Sequence, residues 1–336
     1  MRVVSRWMAG VLLLVIVGLY GTSRLVEPAT VPIQLPDLSE MVLVEAGTLP
    51  SELSGSSIHV QAFYLDRFEV TEGDWRRFGV HLDRLSRDRW AAEDRRGPDF
   101  PMRYVNLFEA ETYADALGKR LPSNPEWERA CRGRGGPFPW GRFFREDAAN
   151  VSEIWKGGTA SVLRVGTFEA GCSAIGAYDL VGNVWEWTGS STQELLHNTI
   201  KGSGELGHLE LAVWTQERHG IVRGGAFSSR LRGRSSFEVV ENAAHRSRDM
   251  GFRCAISASE VARQKELVPL IRALGYRDPW NLWWRVWPAQ SALRDHGSSA
   301  LPLLQRTLRK TTDSGLASRL TELIRSIDGD ADILEN

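Results

Sequence analysis

Two hydrophobic periods divide this chain. From Met41 to Val70 apolar residues tend to alternate, first in Met41-Val42-Leu43-Val44 and again from Ile58 to Tyr64. A Ser54-Gly55-Ser56-Ser57 turn parts the two runs, and the pattern predicts strands. After Ile256 glycine becomes rare and apolar residues fall at helical spacing. Leu267-Val268-Pro269-Leu270-Ile271 with Leu274 predicts one helix, and Asp278-Pro279 leads into a second that ends near Arg294. Ala300-Leu301-Pro302-Leu303-Leu304 with Leu308 predicts a third, and Leu316 to Ile327 a fourth.

Between these regions the helix starts are marked by capping chemistry. Thr71 precedes Glu72-Gly73-Asp74, with Trp75 and Phe78 at helical spacing. Asn106 opens a helix to about Leu117. Ser123 is placed as a cap with Pro125 in the first turn and Glu126 three residues on. That last helix carries Trp127, Ala130 and Cys131 on one face, so Cys131 is expected in the core. The segment from Asp83 to Asp99 is dense in charge and reads as a solvated excursion. Gly133 to Gly176 is loop-rich. In Gly176-Ala177-Tyr178-Asp179-Leu180-Val181-Gly182-Asn183-Val184-Trp185-Glu186-Trp187-Thr188 the apolar positions match neither period for long, which predicts a packed loop. Its two carboxylates, Asp179 and Glu186, with carbonyls of small residues between them, offer the several oxygen ligands that calcium takes. The same carboxylates would equally serve to cap turns and pair with arginines.

At the other end, Arg2 and Arg6 precede an uncharged run from Trp7 to Tyr20, with Arg24 beyond it. A basic flank followed by an apolar run is an export signal. We read residues 1–26 as an uncleaved single-pass anchor with Trp7 and Tyr20 at the interfaces. The alternative is a signal peptide cut near Gly21-Thr22-Ser23. The positive-inside rule then leaves the bulk of the chain extracytoplasmic, which in a diderm bacterium is the periplasm. Residues 27–40, with Pro28, Pro32 and Pro36, read as an extended linker.

Composition narrows the function classes. The chain has 336 residues, is 42% hydrophobic and carries a formal net charge of −1. That balance gives no electrostatic reason to expect nucleic acid as a partner. Three cysteines without CxxC spacing, Cys131, Cys172 and Cys254, are too few for a structural zinc or an iron–sulfur cluster, and the seven histidines show no i, i+4 pair. The thirteen tryptophans suggest rigid aromatic packing.

The Gly176–Thr188 run resembles the signature of the formylglycine-generating enzyme family, also called sulfatase-modifying factors. Four more blocks occur in the family's order: Met41-Val42-Leu43-Val44 through Gly47; Phe63-Tyr64-Leu65-Asp66 through Glu69-Val70-Thr71; Arg120-Leu121-Pro122-Ser123-Asn124-Pro125-Glu126-Trp127-Glu128; and Arg223-Gly224-Gly225, closed by Gly251-Phe252-Arg253-Cys254-Ala255. The resemblance covers residues 41–256. It implies an α+β, C-type-lectin-like fold and a structural calcium ion held by the side chains of Asp179 and Glu186 and the carbonyls of Gly182 and Val184. A second calcium loop would begin at Asn150 and Val151, but here it is short and lacks the family's downstream aspartate, so that site is doubtful.

Catalytic members of the family bind copper(I) through two cysteines and oxidise a sulfatase cysteine to formylglycine. The carried-over positions hold Ser229 and Arg234 in place of the cysteines, and Ala226 in place of a nearby serine. Copper(I) needs soft thiolates, which hydroxyls and guanidinium groups do not replace, so copper is not expected. A nucleophilic role for Ser229 would need a base, and no histidine or aspartate lies fewer than ten residues from it, so His245 or Asp249 would have to fold back. What stands near these positions is positive charge. Arg223, Arg230, Arg232 and Arg234, with Trp185, are read as lining a groove for an anionic ligand. The alternative is that most of the arginines pair with local acids such as Glu238, Glu241 and Asp249. Ergothioneine-pathway relatives of this fold carry an iron site on an extra helical domain with clustered histidines, and no such cluster precedes Met41.

The helical stretch at 262–328 holds two Leu/Pro segments about 33 residues apart, Pro269 matching Pro302. It resembles a pair of HEAT-type repeats followed by a tail at 329–336. Two such repeats bury little by themselves, so the module is expected to dock, on the main domain or on a protein partner, with the tryptophans of 280–287 as its face. Together these readings give a membrane-anchored binding or scaffolding protein that has lost the family's oxidase activity. The alternative is an oxidoreductase or other family enzyme with a non-standard site.

Overall fold

A computed structural model of the chain describes residues 31–33, 35–50, 57–77, 96–132, 136–156, 158–191, 218–230, 238–278 and 281–334. The N-terminal anchor segment, most of the charged excursion, Arg232, Arg234 and Trp280 lie outside these residues. The chain divides into two compact units, residues 36–259 and a second made of residues 260–336 with the N-terminal 35.

The larger unit is a mixed α+β structure. Strands β1 (Met41–Val44), β4 (Phe63–Asp66) and β9 (Ala255–Ser257) form one antiparallel sheet in the order β1-β4-β9. Strands β2 (Gly47–Pro50) and β3 (Ser57–Val60) form a separate hairpin. The apolar run expected as one strand from Ile58 to Tyr64 is thus two, broken at Gln61-Ala62, and each half pairs in a different sheet. The first sheet alternates as a half-buried sheet should: Val42, Val44, Phe63 and Leu65 point inward.

The second main sheet carries the site. Its order is β7-β6-β5-β8, with β5 (Trp185–Ser191) antiparallel to β6 (His219–Arg223) and parallel to β8 (Met250–Phe252), while β7 (Glu238–Asn242) covers the edge of β6. The signature run is therefore a loop only up to Val184. From Trp185 it is a central strand, which corrects the expectation of a loop to Thr188. Glu186, Trp187 and Thr188 are all buried, because neighbours cover both faces of β5, and a strand buried on both faces has no alternation to read.

Among the described residues three α-helices complete this unit, and their starts follow the capping chemistry. In α1 (Glu72–Arg77) the Thr71 Oγ accepts from Asp74 N at 3.1 Å while Asp74 Oδ2 accepts from Thr71 N. In α2 (Leu107–Ala116) Asn106 and Glu109 close a reciprocal capping box, both bonds at 3.0 Å. Helix α3 (Asn124–Arg132) begins after Ser123, whose N–H donates to Glu126 at 2.8 Å and whose Oγ accepts from Glu126 N at 3.3 Å. Its inward face is Trp127, Ala130 and Cys131, packed with Val44, Phe63, Leu65 and Leu180. Another cluster gathers Leu107, Tyr113, Trp187, Val222 and Phe252.

The smaller unit contains α4 (Ala258–Ala273) from its third residue on, and a π-helical turn over Leu282–Val286 that runs into α5 (Trp287–Asp295). Helices α6 (Leu301–Lys310) and α7 (Ser314–Leu334) follow. Leu267, Ile271, Leu293, Leu303, Leu304, Leu320 and Leu323 make its core, with Val31 and Ile33 packed against it. Pro269 sits inside α4, whereas Pro302 lies in the first turn of α6, where its missing N–H costs nothing. The 33-residue offset therefore does not superimpose equivalent helical positions, and the HEAT-type resemblance finds no support in these two prolines. Among the described residues, no helix is long and apolar enough to cross a membrane.

Candidate functional site

The Tyr178–Val184 loop is shaped by residues in the left-handed region: Asp179 (φ 55°), Gly182 (φ 84°) and Asn183 (φ 58°). Asp and Asn tolerate this conformation better than other side chains, and glycine adopts it freely. Gly182 is required for a second reason. A Cβ there would stand 2.3 Å from the Asn150 carbonyl oxygen, because the loop pairs with Asn150 through a parallel bridge.

This loop and β5, with Glu69 from the segment after β4, bring three carboxyl groups into the interior around one guanidinium. Arg253 donates to both oxygens of Glu186, at 2.6 and 2.7 Å, and to the carbonyl of Tyr178 at 2.8 Å. Its remaining N–H groups reach the carbonyls of Asp66 and Arg67. Both side chains are fully buried. Trp127 Nε1 adds a 2.7 Å bond to the same Glu186. Asp179 accepts from Gly166 N at 2.6 Å. Glu69 accepts from Asn183 Nδ2 at 2.7 Å and from Val184 N at 3.1 Å.

The electrostatic consequence is that burial disfavours the ionised form of these carboxyls. Burial, with Asp179 and Glu186 close by, pushes the Glu69 carboxyl well above the usual range. Asp179 is pushed up to about 6, first by burial, against the hydrogen bond from Gly166 and the charge of Arg253. Among the described residues no group of three or more His, Cys, Asp or Glu side chains is arranged to hold a metal ion. Arg253 and Trp127 already occupy much of Glu186, and Asp179 is held by Gly166 N. The sequence reading assigned no part to Glu69 or Asn183. Glu69 stood in the quoted Glu69-Val70-Thr71 block, and Asn183 in the Gly182-Asn183 pair.

The two residues named for the doubtful second site, Asn150 and Val151, are both buried. Asn150 donates to Ser161 O and Asn183 Oδ1 and accepts from Trp155 Nε1, each at 3.0 Å, so its amide is committed within the fold. Val151 is fully buried in the core.

The expected anionic groove is corrected at its first member. Arg223 is 1% exposed, lies over the Trp127 ring at 5.1 Å, and pairs with Glu128 at 3.1 Å and Glu238 at 3.0 Å. The reason is register: Arg223 lies opposite Glu238 in the β6–β7 pairing, a juxtaposition no spacing rule displays. It is an interior cation with local acids. Arg246 likewise pairs with Glu109. Arg230 is exposed, and Trp185 packs half-buried against the second core cluster.

At the carried-over catalytic positions, Ala226 is fully buried and Ser229 folds back on it: Ser229 Oγ accepts from Ala226 N at 3.1 Å, and Ser229 N donates to Ala226 O at 2.9 Å. Neither residue expected to fold back as a base is bonded to Ser229. Asp249 instead accepts from the hydroxyls of Ser228 and Ser247, and His245 Nδ1 lies 3.9 Å from Glu241 Oε1. All three cysteines are free thiols. Cys131 and Cys254 are fully buried, and burial pushes both thiols up, away from the thiolate.

Comparison with known proteins places these features in a family. Residues 26–258 match the sulfatase-modifying factor enzyme 1-like domain. The chain belongs to this family. It is 35% identical over 212 residues to a protein named hercynine oxygenase from Mycolicibacterium thermoresistibile, covering 52% of this chain and 44% of the relative. It is 33% identical over 172 residues to inactive C-alpha-formylglycine-generating enzyme 2 of Bos taurus, covering 48% and 51%. It is 35% identical over 103 residues to the formylglycine-generating enzyme of Bos taurus, covering 27% of each. The chain thus spans about half or less of the length of these curated relatives. Among solved structures, PvdO from Pseudomonas aeruginosa superposes with a TM-score of 0.50 at 23% identity, over 69% of this chain and 99% of that one, a likeness of fold alone.

Proposed function

We propose that this protein is a membrane-tethered, extracytoplasmic member of the sulfatase-modifying factor family that binds or scaffolds rather than oxidises, on a C-type-lectin-like version of the fold. The observation that carries this reading is the donor set at the carried-over site. Position 229 offers a hydroxyl already held by the Ala226 backbone, and Cys131 and Cys254 are buried, protonated thiols. Hydroxyl and neutral thiol are poor ligands for copper(I), so the residues present do not fit that metal. The relative named an inactive formylglycine-generating enzyme supports a family scaffold used without the oxidation. The oxidase alternative draws on the relatives named for oxygenase and formylglycine-generating activity.

Calcium has a structural role in this proposal, held by Asp179 and the carbonyls of Gly182 and Val184, with Glu186 contributing what Arg253 and Trp127 leave free. It would supply only the charge that the Glu69, Asp179 and Glu186 cluster lacks. Titration of the reduced protein with copper(I) against a competing chelator tests the proposal. Weak binding unchanged by alkylating the thiols is expected, and tight binding abolished by alkylation would favour the oxidase.

A further inference from the structure

The helical unit presents an aromatic face that the core does not use. Trp283, Trp284 and Trp287 are 65%, 66% and 49% exposed, and the rings of Trp283 and Trp287 lie 4.2 Å apart. Val286, Ala289 and Leu293, on the same stretch of helix, are buried. Exposed Pro288 continues the outward face, and Arg285, also exposed, lies with its guanidinium 4.9 Å from the Tyr276 ring. Three large indoles left in water next to a cation are costly unless something covers them.

We infer that this face seats in the headgroup region of the bilayer that holds the N-terminal apolar run; the inference rests on the tether reading. Chain length is the first argument. Val31 and Ile33 already pack on the core of this helical unit. Only Gly21 to Thr30 separate Val31 from the apolar run ending at Tyr20, and a chain of that length reaches at most ~40 Å. The helical unit is therefore held within about one bilayer thickness of the membrane surface. Composition is the second argument. Tryptophan with arginine suits the interface, where the indole body lies among acyl chains, its N–H meets the headgroups and the cation meets anionic lipid. The face is part of an amphipathic helix whose other side is the module's own core, so it lies on the membrane and does not cross it.

The test uses the full chain reconstituted in equimolar phosphatidylcholine and phosphatidylglycerol vesicles, with and without bromine on the upper acyl chain. Wild type is compared with the Trp283→Ser/Trp284→Ser/Trp287→Ser variant. The fluorescence lost in that variant is the signal of the three indoles. It is expected to fall roughly twofold in brominated lipid and to be shielded from aqueous iodide. Equal bromine quenching of wild type and variant overturns the inference. So does iodide shielding without bromine quenching, which would mean that a protein surface or a second copy covers the face. The single Trp284→Ser variant, checked by its melting profile, gives the same contrast at smaller amplitude should the triple variant fail to fold. Alkaline carbonate extraction reads the tether separately: extraction with bromine quenching retained removes the tether and leaves the face, and retention without quenching does the reverse.

Discussion

Replacing Arg253 with methionine tests whether the buried acidic cluster is held by this one cation. The substitution keeps an unbranched side chain and removes the paired bonds to Glu186 together with the donors to Tyr178, Asp66 and Arg67. Glu186 would keep Trp127 as a donor but remain fully buried, with Asp179 adding repulsion and its paired guanidinium gone. Breaking a buried pair from one side costs about 3–5 kcal/mol, and orphaned carbonyls raise the upper end. At roughly 2–4 °C per kcal/mol for a unit of this size, the melting transition of the larger unit should fall by about 6–20 °C. Differential scanning calorimetry with a calcium chelator reads the shift. The Glu186→Gln/Arg253→Met double variant supplies the sharper criterion. Removing the stranded charge should recover part of the loss, so the double variant melts above Arg253→Met alone. A shift under about 2 °C in the single variant, or a double variant whose loss equals the sum of both singles, would refute the reasoning.

Three further outcomes follow from the same geometry. Asp179 has its folded-state pKa raised from 3.8 to about 6, so its folded form binds the proton more tightly than the unfolded chain does. Without calcium, its contribution is neutral below pH ~4 and becomes a penalty of about 3 kcal/mol as pH rises past ~6. Urea midpoints across that window should decline with pH in wild type, more weakly in Asp179→Asn, and calcium at neutral pH should raise the midpoint only in wild type. Gly182→Ala places a methyl against the Asn150 carbonyl at a positive φ, so it should cost more than about 2 kcal/mol by the same measurement. Leu320→Ala, in the centre of the helical unit, should destabilise that unit by about 2–5 kcal/mol, read as loss of amide-exchange protection in α4 to α7.

What the sequence disclosed was local. Capping residues Thr71, Asn106 and Ser123 each bond the backbone within three residues, so short spacing was enough to place α1, α2 and α3. The apolar stripe of Trp127, Ala130 and Cys131 likewise needs only the helical period. The site was legible as a motif but not as a network. Glu186 and Arg253 stand 67 positions apart and meet beside the parallel pairing of β5 with β8, which no local pattern encodes. Arg223 was read as a groove residue because its partners Glu128 and Glu238 come from a helix and a neighbouring strand on opposite sides of it in sequence. Glu69 stands in a motif block without any local sign of a role, and only the fold brings it to Asn183 and Val184, more than a hundred residues away.

The central claim is that the family's scaffold persists here without the chemistry for which its catalytic members are named. Incubating the reduced protein with copper(I), oxygen and a peptide bearing a sulfatase-type cysteine, then trapping carbonyls with a hydrazine and weighing the peptide, measures this directly. The account predicts that the peptide keeps its thiol mass and yields no hydrazone. A hydrazone that forms catalytically, and disappears when the protein's cysteines are alkylated beforehand, would contradict it.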